Sequence, residues 1–155
     1  MNNNIIGTKF EKYVQRLLMQ CGTRASHNIM YHKGKRACQV DLEYTTGVFF
    51  RERTVLECKY VQPGSSLHFA RAYAQLGEVL LFTGFSNGII VTNSNIPDLE
   101  SKEREYRIRI YDRDVLLALR FGKKGSAASN LDRLDEEIRR MHVSGSETEF
   151  IHRYL

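Results

Sequence analysis

No apolar stretch in this chain reaches membrane-spanning length. The run Val79-Leu80-Leu81-Phe82, for one, ends at once in Thr83 and Gly84, so no transmembrane helix is expected. Met1-Asn2-Asn3-Asn4-Ile5-Ile6 has neither the basic start nor the long apolar core of a signal peptide, and a cytoplasmic location is expected. The three cysteines, Cys21, Cys38 and Cys58, form an odd set without CxxC spacing. They argue against a disulfide framework or a cysteine zinc site and read as thiols in a reducing compartment. His27, His32, His68, His142 and His152 show neither HxxxH nor HxH spacing, so they read as non-ligands. Gly122-Lys123-Lys124-Gly125-Ser126 lacks the GxxxxGK[ST] spacing and the entering strand of a phosphate loop. There is no internal repeat and no low-complexity tract.

What remains is a chain of 155 residues, 42% hydrophobic and 26% charged, ordinary for one soluble globular domain. A net charge of +5 mildly favours a polyanionic partner. Two strings stand out: Val40-Asp41-Leu42-Glu43 and Val55-Leu56-Glu57-Cys58-Lys59-Tyr60-Val61. Both set charged side chains inside apolar runs. In a strand, Glu57 and Lys59 project from one face while Leu56 and Cys58 project from the other. A carboxylate and an ammonium on a half-buried face need a partner or a metal. With Asp41 from a neighbouring strand they make two hard oxygen ligands and a cation, enough to hold Mg²⁺ and a phosphate together. The plainer alternative is a salt-bridged pair on a solvated sheet face. Glu43, two residues beyond Asp41, is expected on the same face, as an accessory ligand or an exposed partner for a base.

Phe10, Val14, Leu17, Leu18 and Cys21 trace one face of a helix that Gly22 ends. Strands are expected at 26–32, 38–45 and 54–61, with Lys33-Gly34-Lys35-Arg36 as a basic turn and Val48, Phe49 and Phe50 extending either ladder. Pro63-Gly64-Ser65-Ser66 leads into a helix over 66–83. A buried strand follows at 88–92, then a helical turn within 97–104 and an edge strand at 106–111. Asp112 caps a further helix. After Phe121 the composition turns to a linker and a charged helix over 129–142, with only Leu131, Leu134, Ile138 and Met141 apolar. The order α-β-β-β-α-β-β-α plus a C-terminal helix predicts the α/β class, a mixed central sheet flanked by helices.

That order, with Phe10-Glu11-Lys12-Tyr13-Val14 in the first helix, Val40-Asp41-Leu42, Leu56-Glu57-Cys58-Lys59 and Gly88-Ile89-Ile90-Val91-Thr92-Asn93, resembles the PD-(D/E)xK nuclease superfamily. Together with Ile110-Tyr111-Asp112-Arg113-Asp114-Val115-Leu116 it is most similar to the Mrr-type restriction endonucleases. Val40 stands where the motif has proline, and Arg36-Ala37-Cys38-Gln39 replaces a glycine-rich approach to the acid.

The resemblance implies a restriction-endonuclease-like core over 1–121, with 122–155 as linker and helical appendage. It implies that Asp41, Glu57 and the backbone carbonyl of Cys58 ligate Mg²⁺ or Mn²⁺. Lys59 would steady the attacking water or the transition state, and Glu11 would bind a second metal or orient a water. Gln75, with Arg71 nearby, falls on the helix where helper residues sit. Lys33, Lys35 and Arg36 are candidates for DNA-backbone contacts. The expected activity is metal-dependent hydrolysis of DNA by a homodimer. A Holliday-junction-resolvase-like nuclease and a non-cutting DNA-binding module remain alternatives, and the C-terminal helix has either its own core or a protein partner to pack on.

Overall fold

The computed structural model describes residues 3–123, 125, 127–143 and 151–154, the last four as backbone alone. Met1 and Asn2, and within the expected linker and appendage Lys124, Ser126, residues 144–150 and Leu155, lie outside the described residues. The elements are α1 (Asn3–Gln20), β1 (Ser26–Lys33), β2 (Arg36–Thr46), β3 (Glu52–Lys59), α2 (Phe69–Thr83), β4 (Asn87–Thr92), α3 (Leu99–Tyr106), β5 (Arg109–Tyr111), α4 (Arg113–Phe121), α5 (Ala128–Arg139) and β6 (Ile151–Tyr154). The strands form one mixed sheet in the order β5-β4-β3-β2-β1-β6. β1, β2 and β3 are antiparallel neighbours, while β3–β4, β4–β5 and β1–β6 are parallel. The mixed α/β architecture follows the expected element order, with β6 as an addition. Among the described residues no helix is long and apolar enough to cross a membrane.

Strand periodicity sorts the core into two layers. Leu56 and Cys58 of β3 and Ile89 and Val91 of β4 pack under α1, α4 and α5. Val55 and Ile90, the alternating residues, pack under Ala72, Leu76 and Val79 of α2. The helix ends have local causes. Gly84 takes a left-handed φ of 74° after α2, and the His68 side chain accepts from Arg71 N–H at its start. The Asp112 carboxylate accepts from Val115 N–H at the start of α4 and from Ile96 N–H, as its capping role predicts.

The β1–β2 hairpin breaks the alternation. Leu42 belongs to the α1 layer but Val40, two residues earlier, belongs to the α2 layer. On β1, Ile29 lies in the α2 layer, while His27 pairs with Leu42 and reaches Glu11 on α1. The faces therefore exchange at Asn28 and Asp41, which lie between the His27–Leu42 and Ile29–Val40 pairs of the register. Asn28 has φ of 51°, a left-handed conformation that asparagine tolerates better than most residues. Its side-chain oxygen accepts from Gln39 Nε2 at 2.9 Å.

Several expectations need correction. Val48, Phe49 and Phe50 extend no ladder; they form the exposed loop between β2 and β3. The strand expected at 106–111 begins only at Arg109, because α3 continues to Tyr106 and Arg107 ends it in the left-handed region. Of the expected C-terminal appendage, α5 packs on the layer that holds α1. Leu134 and Ile138 of α5 are fully buried beside α1. Glu137 accepts from Tyr13 O–H at 2.8 Å and takes a two-pronged bond from Arg120 at 2.8 and 3.0 Å. The apolar stripe of α5 is thus spent on its own chain. Ile138→Ala should lower stability by about 2–5 kcal/mol, read as an earlier urea midpoint. An unchanged midpoint would mean that α5 is dispensable to the fold.

Candidate active site

The last β2–β3 pair is Leu42 with Leu56. Beyond it the strands part, and the Asp41 carboxylate accepts a hydrogen bond from Cys58 N–H at 2.9 Å. The side chain fills the fork between the strands, in place of a ladder bond, and points at the edge of β3 rather than out of either face. Glu57 lies on one side of it and Glu11, from α1, on the other; both push its carboxyl up electrostatically.

Each charged group has a partner from the chain. Lys59 Nζ lies 2.7 Å from Glu57 Oε1. Glu11 Oε2 lies 2.7 Å from Nε2 of His27, which is buried. Glu57 is only 8% exposed, so the alternative of a pair on a solvated face does not hold. The pair is also along one strand rather than across two. Burial, then the charges of Glu57 and Glu11, hold the Asp41 carboxyl well above the usual carboxylate range, against the Cys58 N–H and Lys59. Burial, then the charges of Asp41, Glu11 and Glu57, push the Cys58 thiol well up, so it stays neutral. Among the described residues no three His, Cys, Asp or Glu side chains converge as a finished metal cage. The structure brings Glu11, Asp41, Glu57 and Lys59 together as neighbours, each held by its own partner.

On the α2 side a cavity of about 350 Å³ opens beside Lys59, lined by Ser65, Ser66, His68, Arg71 and Gln75 among others. The buried Gln75 Oε1 has no hydrogen-bond partner among the described residues. Gln75 and Arg71 both line that cavity. Glu43 does not. The exchange of faces at Asp41 turns it to the α2 layer, where it is 3% exposed and accepts from Tyr31 O–H. It is neither on Asp41's face nor an exposed partner for a base. In the basic turn, Lys33 and Arg36 lie over the Phe82 ring of α2 at 5.3 and 5.6 Å, and Lys35 is exposed.

The motifs give no role to two contributors, although Asn93 closes one of the quoted strings. His27 holds Glu11 in place, and Asn93 clamps the chain after Lys59 by accepting from Val61 N–H at 2.7 Å and donating to its carbonyl at 2.9 Å. A signal for His27 existed. A two-residue turn at Gly34-Lys35 fixes the hairpin register, and that register sets His27 opposite Leu42, beside the acid.

Comparison with known proteins places the architecture but not the chemistry. No family model matches the sequence, and no curated protein does. A crystal structure of AF1548, a protein of unknown function, superposes with a TM-score of 0.55 at 17% identity, over 90% of this chain and 91% of that one. The two share a fold. The MspJI restriction endonuclease, solved with a 27-mer oligonucleotide, aligns at a TM-score of 0.47 and 18% identity over 94% of this chain and 34% of its own. AspBHI, a DNA modification-dependent restriction endonuclease, aligns at 0.48 and 14% over 84% and 35%. The chain spans about a third of the length of those two enzymes.

A carboxyl raised in the folded state opposes folding once the unfolded chain ionises, above about pH 4. Asp41→Asn keeps an oxygen for Cys58 N–H and removes the repulsion. It should therefore melt higher than wild type at pH 7, with the gain shrinking toward about pH 4, where the wild-type carboxyl is itself protonated. A melting difference independent of pH would show that Asp41 is not repelled by its neighbours.

Proposed function

We propose that this chain is a metal-dependent DNA endonuclease of the restriction-endonuclease-like, Mrr-related type. The observation that carries this reading is the fork itself: Asp41 held between Glu57 and Glu11, with Lys59 bound to Glu57. Three carboxylates from α1, β2 and β3 repel one another at this fork, although a single one would be less costly, and they stop short of a finished cage. A divalent cation relieves that crowding. The donors are carboxylate oxygens with a backbone carbonyl at Cys58 nearby, a set suited to Mg²⁺ or Mn²⁺ rather than zinc.

Asp41, Glu57 and the Cys58 carbonyl would hold the ion, with Glu11 at a second position. Bound there, the ion supplies positive charge for the phosphate and an activated water. The residues of the chain do the rest. Lys59 exchanges Glu57 for the phosphate and places its ammonium where negative charge grows as water adds to phosphorus and the P–O bond to the leaving strand breaks. Glu11, held by His27, orients a water. Gln75 and Arg71 face the cavity beside Lys59 and steady the strand being cut. Hydrolysis at one site severs one strand, so a symmetric pair of chains is the natural cutter of both.

One observation favours a non-cutting DNA-binding module instead. Every acidic group at the fork already has a protein partner, as a retired site would.

Purified protein with plasmid DNA and Mg²⁺ or Mn²⁺ separates the two. The nuclease cuts, loses all cutting in EDTA, and loses at least about a hundredfold in rate with Asp41→Ala or Lys59→Ala, both variants remaining folded. Cutting retained by folded Asp41→Ala would sink the assignment. Folded wild type that neither cuts nor binds the ion in titration calorimetry leaves the binding module.

A further inference from the structure

The end of the sheet opposite the fork carries a second set of functional groups. There, beyond the Thr46–Glu52 pair, a tight loop presents Val48, Phe49 and Phe50 at 86, 93 and 88% exposure. The loop is shaped by its backbone. Gly47 has φ of +92°, and a Cβ on it would meet the Phe50 carbonyl oxygen at 2.0 Å. Glycine permits this turn and a side chain does not, so the aromatic pair is held outward by construction. Three consecutive large apolar residues this exposed mark a contact surface.

At the same end of the sheet, reaching the Thr46 and Glu52 that flank the loop, is a cavity of about 470 Å³, within the size range of small-ligand sites. Tyr44, Thr46 and Asn87 offer it hydrogen-bonding groups, and Arg107 and Arg109 line it. Glu52, the one carboxylate among its lining residues, is engaged by Asn87 Nδ2 at 3.3 Å. Arg51 follows the aromatic pair in sequence.

We propose that this end of the sheet binds unpaired nucleotides. Bases stack on Phe49 and Phe50, phosphates lie along Arg51, Arg107 and Arg109, and one base enters the polar cavity. Aromatic faces beside arginines are the general chemistry of single-strand binding, and a polar cavity suits a base edge. A membrane surface has no use for that cavity. A second copy of this chain would set arginine against arginine.

The inference rests on the nuclease reading and names its substrate. Glu52 and Lys59 are seven residues apart on β3, about 23 Å at ~3.3 Å per residue. That equals about seven base pairs at 3.4 Å per step. The substrate is therefore DNA in which duplex meets single strand, cut in the duplex about seven base pairs from the junction.

The test is fluorescence anisotropy in EDTA, with labelled forked DNA and a blunt duplex of the same paired length, comparing wild type with Phe49→Ala/Phe50→Ala. Wild type should prefer the fork. The double variant should lose about tenfold or more in fork affinity, keep its duplex affinity and melt as wild type does. Equal affinities of wild type for fork and duplex, or a variant that binds the fork unchanged, overturns the proposal. So does tip-dependent flotation with anionic phosphatidylserine vesicles, or tip-dependent self-association in ultracentrifugation, with no fork preference. Because EDTA removes cleavage from the readout, a protein that prefers forks but never cuts keeps this inference and loses the nuclease reading.

Discussion

The exchange of faces at Asn28 and Asp41 is the constraint from which the acidic fork follows. A regular β2 would carry Asp41 out of one face with Glu43 beside it, and Glu11 on the other side of the sheet would be out of reach. With the strand turned over at that point, the Asp41 carboxylate lies at the edge of β3, against Cys58 N–H. From there it feels Glu57 on one layer and Glu11 on the other. The same exchange sends Glu43 into the α2 layer and brings His27 onto the α1 side, within 2.7 Å of Glu11. One left-handed asparagine thus selects which of four acidic side chains meet and which is set aside.

The fold tolerates that meeting because its neutralising groups are close and its surroundings rigid. Lys59 offsets Glu57, His27 engages Glu11, and the backbone N–H of Cys58 takes Asp41. Around them Leu42, Leu56 and Phe10 are buried in one cluster, so the acids cannot separate without unpacking it. Repulsion is stored where packing is tightest, as expected of groups whose work is electrostatic.

Much of this was legible in the chain. The alternation Val55-Leu56-Glu57-Cys58-Lys59 sets a strand with its charges on one side, and Phe10, Val14 and Leu17 set the face of α1 beside which Glu11 sits. Those signals are local periodicities, and β3 and α1 obey them. Glu43 was misplaced for the same reason: period two fails where a strand turns over, and nothing in the residues around Asp41 announces it except an asparagine on the neighbouring strand. Val48, Phe49 and Phe50 carry strong strand propensity, yet Gly47 closes the hairpin before they can pair, a tertiary override of a local preference. The strand at 151–154 lacks a periodic signature because pairing with β1, rather than its own pattern, makes it a strand.

The bonds from Tyr13 and Arg120 to Glu137 bear on how the protein is made. Glu11 and Tyr13 ride on the same helix, and a flank of that helix is covered by α5, more than a hundred residues later in sequence. During synthesis the first helix and the acidic strands emerge long before residue 128, and until then α1 has no cover along that flank. The site's backing is delivered after its acids. A ribosome that stalls before residue 128 leaves a chain whose acids are present but whose scaffold is incomplete, so the order in which the parts arrive keeps the acidic fork unsupported until α5 is made.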